Sequence, residues 1–290
     1  MMPDLESSPQ CAATTIGDAW QWAAAHWPGE SQRGLNELFD RALAISATAL
    51  RAFPERPLSA AQRDTLSQLI DRLVNGEPLA YVLGRRGFWS LDLEVNHHTL
   101  IPRVETERLV ELTLERIPPR ADWRVVDLGT GSGAIALALA KERPTCVVLG
   151  IDKSIPALQV ARRNAQAHAL HQVAFVASDW LSALSDTCVD LLVSNPPYIA
   201  DRDPHLSQGD LRFEPATALS SGPDGLDDIR HLIEHAPRCL RASGWLLFEH
   251  GFDQGEPVRD LLSARGFQQV QTEQDLEQRD RVSLGQWNGG

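Results

Sequence analysis

The sequence predicts an α/β protein: a Rossmann-like, doubly wound and mostly parallel sheet, with a small helical domain at its N-terminal side. From Trp123 onward, short apolar runs alternate with stretches of helical spacing. A glycine-rich turn, Gly129-Thr130-Gly131-Ser132-Gly133, separates the first of those runs from the helix after it. Before Leu73 the apolar residues recur at helical spacing alone.

Taken in order, residues 1–13 read as frayed. Trp20, Ala23, Ala24 and Trp27 fit one helix, and Leu35, Leu38, Phe39, Ala42, Leu43 and Ile45 a second. Leu66, Leu69, Ile70 and Leu73 fit a third, opened by a capping box of Ser59 and Gln62. Pro28-Gly29, Pro54 and Pro57 break the chain between helices. Residues 1–75 therefore form a helical domain. Residues 76–102, with Gly76, Pro78, Gly84 and Gly87 and the alternating run Phe88 to Val95, read as a hairpin-like linker. Residues 103–290 form the sheet domain, entered through a helix from Glu105 to Ile117. Strands are expected at 125–128, 147–152, 173–176, 190–194 and 245–249. Helices are expected at 134–142, near 155–168 and near 227–239. Runs at 266–272 and 281–287 read as a closing antiparallel hairpin at one edge.

Composition narrows the function classes. Apolar residues make up 43% and charged residues 23%, the balance of a globular chain with a sizeable core. No apolar run reaches the roughly eighteen residues of a membrane helix. The acidic start, Met1-Met2-Pro3-Asp4-Leu5-Glu6, lacks a secretory h-region, so a cytoplasmic location is expected. The net charge of -12 argues against long nucleic-acid contacts. Cys11, Cys146, Cys188 and Cys239 are scattered without a C-x-x-C pair, and read as reduced structural cysteines rather than metal ligands. His97-His98 reads as a turn.

The loop 129–133 opens a helix after a strand, where glycine lets the backbone turn tightly beside a ligand. Gly129, Gly131 and Ala134 also satisfy a dinucleotide fingerprint, so a nicotinamide cofactor competes with S-adenosylmethionine. Asp127 just before the loop favours the latter. It suits a methionine-like zwitterion, directly or through water, and would repel a pyrophosphate. Asp152, at the end of the second strand, can accept from ribose hydroxyls or cap the following helix. Asp179 could meet an adenine amino group, and Trp180 could form a flat wall or belong to the core.

Ser194-Asn195-Pro196-Pro197-Tyr198 follows the fourth strand. Two prolines make a rigid loop with little entropy to lose. The Asn195 side-chain carbonyl and the Pro196 backbone carbonyl can accept the two hydrogens of a planar, conjugated NH2, and Tyr198 can stack on it. Glutamine, adenine and guanine all carry such a group.

These motifs together resemble those of the peptide chain release factor N5-glutamine methyltransferases, the PrmC/HemK family. They are Gly76-Glu77-Pro78, Phe88-Trp89-Ser90-Leu91, Leu100-Ile101-Pro102-Arg103, Asp127 to Gly133, Ser178-Asp179-Trp180, Asn195 to Tyr198, Arg212-Phe213-Glu214-Pro215 and Leu246 to Gly251. The resemblance implies a seven-stranded class I methyltransferase sheet and an N-terminal helical domain that recognises the partner. It implies methyl transfer from S-adenosyl-L-methionine, leaving S-adenosyl-L-homocysteine, to the glutamine of the Gly-Gly-Gln motif in class I release factors. Gly129, Thr130, Gly131, Ser132, Gly133, Asp152, Trp180 and Asn195 would bind the cofactor. Asn195, Pro196, Pro197 and Tyr198 would hold the glutamine. A ribosomal-protein glutamine or a nucleic-acid amino group is the alternative acceptor. Val104 departs from the family's proline at that place, and the first helices follow the family pattern poorly. Arg212 and Glu214 read as an ion pair beside the site, and Glu249 and His250 as residues that shape it.

Overall fold

The computed structural model describes residues 10–28 and 31–289. Residues 1–9 of the expected frayed end, and Gly29 of the expected break, lie outside the described residues. The chain divides into two compact units between Gly84 and Arg85.

The first unit is helical: α1 (Ile16–His26), α2 (Gln32–Leu43), α3 (Ala47–Ala52), α4 (Ala60–Val74) and α5 (Leu79–Leu83). Hydroxyl side chains of Thr15, Ser31, Ser46 and Ser59 cap the first four. The expected capping box is formed, with Ser59 and Gln62 each accepting from the other's backbone N–H. The buried face of α1 is Ile16, Ala19 and Ala23, whereas Trp20 is half-buried and donates its indole N–H to Asn36. Residues 10–13 are not all loose, because Cys11 is buried and its N–H donates to Ser67. The stretch 76–102 divides between the two units. Arg72 binds the Glu77 carboxylate at 2.6 Å and the carbonyls of Tyr81 and Val82, which holds α5 with the helices.

The second unit opens with a hairpin, β1 (Arg85–Phe88) and β2 (Leu91–Glu94), within the stretch read as hairpin-like, its turn falling inside the alternating run from Phe88 to Val95. Trp89 at φ 55° makes the turn. Phe88, Leu91 and Leu93 pack into the same core as the sheet. Then come α6 (Thr106–Arg116), β3 (Arg124–Leu128), α7 (Ala134–Glu142), β4 (Val147–Asp152), α8 (Ile155–Ala167), β5 (Ala174–Ala177) and β6 (Val189–Ser194). The chain finishes with α9 (Asp227–Cys239), β7 (Leu240–Glu249), α10 (Gly255–Arg265), β8 (Gln268–Gln274) and β9 (Asp280–Trp287).

The seven-stranded sheet runs β5-β4-β3-β6-β7-β9-β8. β9 enters antiparallel between β7 and β8, so the closing hairpin pairs with the parallel strands through its second arm. Neighbouring residues on a strand face opposite sides. Val125, Leu191, Val193 and Leu247 join one core with α6 and α7, whereas Val126, Leu192, Leu246 and Phe248 join the other with α9 and α10. Both faces are covered, which explains the continuous apolar runs in the sequence. The chain goes from β3 to β4 and β5 on one side, then returns to β6 on the other side of β3. That reversal opens a crevice beyond the carboxyl ends of β3 and β6.

Ser59→Ala should lower the stability of the helical unit by about 1 kcal/mol, the usual worth of a serine N-cap. Urea unfolding followed by circular dichroism measures it, and an unchanged midpoint would contradict the capping role.

Candidate active site

The crevice is a cleft of about 310 Å³. Its floor is the loop 129–133. Gly129, Gly131 and Gly133 take φ of 74°, 55° and 85°, a region L side chains avoid. The N–H groups of Gly129 and Thr130 donate to the Ile151 carbonyl, and that of Gly131 to Asp152 at 2.9 Å. Asp152 also accepts the Ser154 N–H at 2.8 Å, and Ser154 caps α8. Of the two options read from the sequence, helix capping falls to Ser154, while Asp152 braces the loop and the helix start and lines the cleft, with lone pairs left over.

Asp127 is placed differently from its expected role. It is buried behind the loop, where one oxygen accepts from the Thr130 hydroxyl at 2.6 Å and the Ala136 N–H at 3.1 Å. Its other oxygen has no hydrogen-bond partner among the described residues. Burial pushes its pKa up to about 7, against the two hydrogen bonds. It braces the loop from within and does not line the cleft. Trp180, at φ 42°, stands on the wall with its ring against Gly129 and its indole N–H on Asp228 at 3.0 Å. Asp179 and both His97 and His98 also line the cleft.

β6 delivers the tetrapeptide to the opposite wall. The Ser194 hydroxyl ties the end of β6 to the Leu128 carbonyl at 2.7 Å. Asn195 and Pro197 line the cleft; Pro196 is buried. Tyr198 is half-buried against the core on the α9 side, and its hydroxyl donates to Glu249 at 3.1 Å. Burial, then the Glu249 carboxylate, push the Tyr198 phenol up, so it stays a donor. The loop is pinned again where Gln254 donates to the Tyr198 carbonyl and Gly225 passes so close that a Cβ there would lie 2.2 Å from that oxygen.

Behind Asn195 lies a chain of hydrogen bonds. Its Nδ2 donates to the Thr106 hydroxyl at 3.0 Å, and Thr106 donates to Glu249 at 2.6 Å. Glu249 is 1% exposed, and burial raises its pKa while Thr106, Arg281 and Tyr198 oppose that rise. The ion pair at Glu214 is with Arg103, and Glu214 also accepts the Ile101 N–H at 3.2 Å. Arg212 lies over the Phe213 ring, 4.8 Å from its centre.

Comparison with known proteins decides the family. Residues 105–218 match the methyltransferase small domain and residues 24–84 the PrmC N-terminal domain. A release factor glutamine methyltransferase of Xylella fastidiosa (strain 9a5c) is 55% identical over 233 residues, 80% of this chain and 85% of that protein. One from Vibrio cholerae serotype O1 is 51% identical over 246 residues, 84% of this chain and 86% of that protein. The chain belongs to the release factor glutamine methyltransferase family. A crystal structure of a methyltransferase from Pyrococcus furiosus matches at a TM-score of 0.52 and 17% identity, over 77% of this chain and all of that one, a likeness of fold.

The cleft of this release factor glutamine methyltransferase family member fits S-adenosylmethionine on its own chemistry. A glycine cradle, a carboxylate with spare lone pairs at a strand end, an aromatic wall and the neighbouring carboxylate of Asp179 suit a cationic nucleoside. The same carboxylates disfavour a pyrophosphate. Sequence reasoning missed Thr106 as a working side chain. It stands at the start of α6, but its partners Asn195 and Glu249 come from elsewhere in the chain.

Asp127 also gives a pH test. Its folded pKa, about 7, lies above the ordinary 3.8. Its stabilising contribution is therefore fully present below the unfolded value and lost as pH rises through about 7. Asp127→Asn keeps an oxygen for Thr130 and Ala136 and removes the titration. Unfolding free energies from urea titrations should then fall less steeply between about pH 4 and pH 7 in the variant than in the wild type. Equal slopes would contradict the buried placement.

Proposed function

We propose that Asn195 and Pro196 orient the side-chain amide of a glutamine in the cleft, so that the chain methylates the glutamine of the Gly-Gly-Gln motif in class I peptide chain release factors. The observation that carries this reading is the placement of Asn195 in the cleft that the glycine loop also lines, its amide nitrogen already held by Thr106. S-adenosyl-L-methionine supplies the methyl group from its sulfonium and leaves as S-adenosyl-L-homocysteine. Gly129, Thr130, Gly131, Ser132 and Gly133 hold its amino-acid end, Asp152 its ribose hydroxyls, and Trp180 its adenine face.

An amide nitrogen is a poor nucleophile because its lone pair is shared with the carbonyl. Asn195 Oδ1 accepts one amide hydrogen and the Pro196 carbonyl accepts the other. Two fixed acceptors set the plane of the NH2 group and favour the positive charge that grows on nitrogen as the bond forms. Pro196 and Pro197 keep those acceptors rigid. The proton leaves after transfer, so no strong base is required. Tyr198, bound through its hydroxyl to Glu249, holds the far end of the loop. The helical unit supplies partner recognition, and a release-factor substrate places the protein in the cytoplasm. No helix among the described residues is long and apolar enough to cross a membrane.

Labelled S-adenosylmethionine, offered with a release factor, ribosomal proteins and nucleic acid, tests the acceptor. Label should map to the Gly-Gly-Gln peptide; label on a ribosomal protein or a base in its place would overturn the assignment. Asn195→Ala should lower kcat by about 10²-fold or more, the scale of one lost preorganised contact. Unchanged turnover would refute its role.

A further inference from the structure

We propose that Glu249 and Thr106 are positioning residues that dictate which end of the Asn195 amide faces the substrate. The inference rests on the proposed function, since it explains why Asn195 presents an acceptor rather than a donor. An asparagine amide has one end of each kind and nearly the same shape either way round. Something other than packing must choose between them.

The choice follows from counting hydrogens. A carboxylate only accepts. Glu249 takes the Tyr198 hydroxyl on Oε1 at 3.1 Å and the Thr106 hydroxyl on Oε2 at 2.6 Å. The single hydroxyl hydrogen of Thr106 is thereby committed to Glu249. What Thr106 offers Asn195, 3.0 Å away, is a lone pair, which only Nδ2 can match. Oδ1 lies at the opposite end of the amide. It accepts no hydrogen bond among the described residues. A buried carboxylate thus sets the polarity of a side chain it does not touch. Burial lifts its pKa above the ordinary carboxylate value and Glu105 at the start of α6 adds to the rise, while the Thr106 hydroxyl, Arg281 on β9 and the Tyr198 hydroxyl hold it down.

Substitutions reverse or release the lock. In Glu249→Gln the Tyr198 hydroxyl keeps an acceptor only if the glutamine oxygen takes the Oε1 place. The glutamine NH2 then donates to Thr106, whose hydrogen turns to Asn195. Asn195 must offer Oδ1 to Thr106 and Nδ2 to the substrate, whose NH2 now meets a donor. Thr106→Val keeps the shape and removes the hydroxyl, so the amide is free to take either orientation.

The test measures kcat and KM for the wild type, Glu249→Gln, Thr106→Val, Thr106→Ser and the double variant, on whichever acceptor the wild type labels. Calorimetric binding of S-adenosylmethionine checks that each is folded. We expect Glu249→Gln to lose about 10²-fold in kcat, Thr106→Val about tenfold, and Thr106→Ser to restore most of that loss. The double variant should turn over faster than Glu249→Gln alone, near the level of Thr106→Val, because removing the hydroxyl undoes the reversal. Losses that multiply in the double variant, or Thr106→Val outperforming Thr106→Ser, would overturn the proposal. The serine and valine pair decides the matter even if Glu249→Gln fails to fold, since packing alone favours valine. A wild type that labels no glutamine would instead defeat the proposed function.

Discussion

Glu249 sits at the end of β7 with 1% of its surface exposed, in a place where an unpaired charge could not persist. It is tolerated because hydroxyl groups from two other elements satisfy it. Thr106 comes from the first turn of α6 and Tyr198 from the loop after β6. Satisfying the carboxylate therefore draws three parts of the second unit to one point. Asn195 hangs from that point through Thr106. A half-satisfied cluster here would be worse than an apolar one, so the arrangement favours being complete or absent.

The glycine loop also rests on carboxylates, at the ends of β3 and β4. Asp127 is buried and Asp152 half-buried, and one oxygen of each accepts a hydrogen bond from the glycine loop. The loop's left-handed glycines are held from below by Asp127 and from the side by Asp152. The cofactor cradle and the acceptor loop are thus each anchored by carboxylates that stand behind them. The parallel register, with Leu128 level with both Ile151 and Ser194, brings those anchors to the same height. The sheet's reversal point then needs to supply nothing but the space between them.

Much of this was legible in the sequence wherever the signal was local. The loop 129–133 and the tetrapeptide 195–198 are contiguous, and each follows an apolar run that could only be a buried strand. The capping box of Ser59 and Gln62 spans a single turn and formed as expected. The failures are of another kind. Thr106 and Glu249 are 143 residues apart, and Asn195 and Thr106 are 89 apart, so no spacing rule joins them. Asp127 was taken for a ligand because it precedes the loop, yet its side chain turns inward. The insertion of β9 between β7 and β8 depends on strand pairing, which local periodicity does not encode. Arg103 pairs with Glu214 because the chain folds back over more than a hundred residues, a partner no local spacing gives.

A neutron structure of the perdeuterated protein would test the organising claim most directly, because deuterium positions distinguish the two ends of an asparagine amide. The account predicts deuterium on the Thr106 hydroxyl aimed at Glu249, two deuterons on the Asn195 atom nearest Thr106, and none on the atom facing the cleft. Deuterium on the Thr106 hydroxyl aimed at Asn195, with the amide turned end for end, would contradict it.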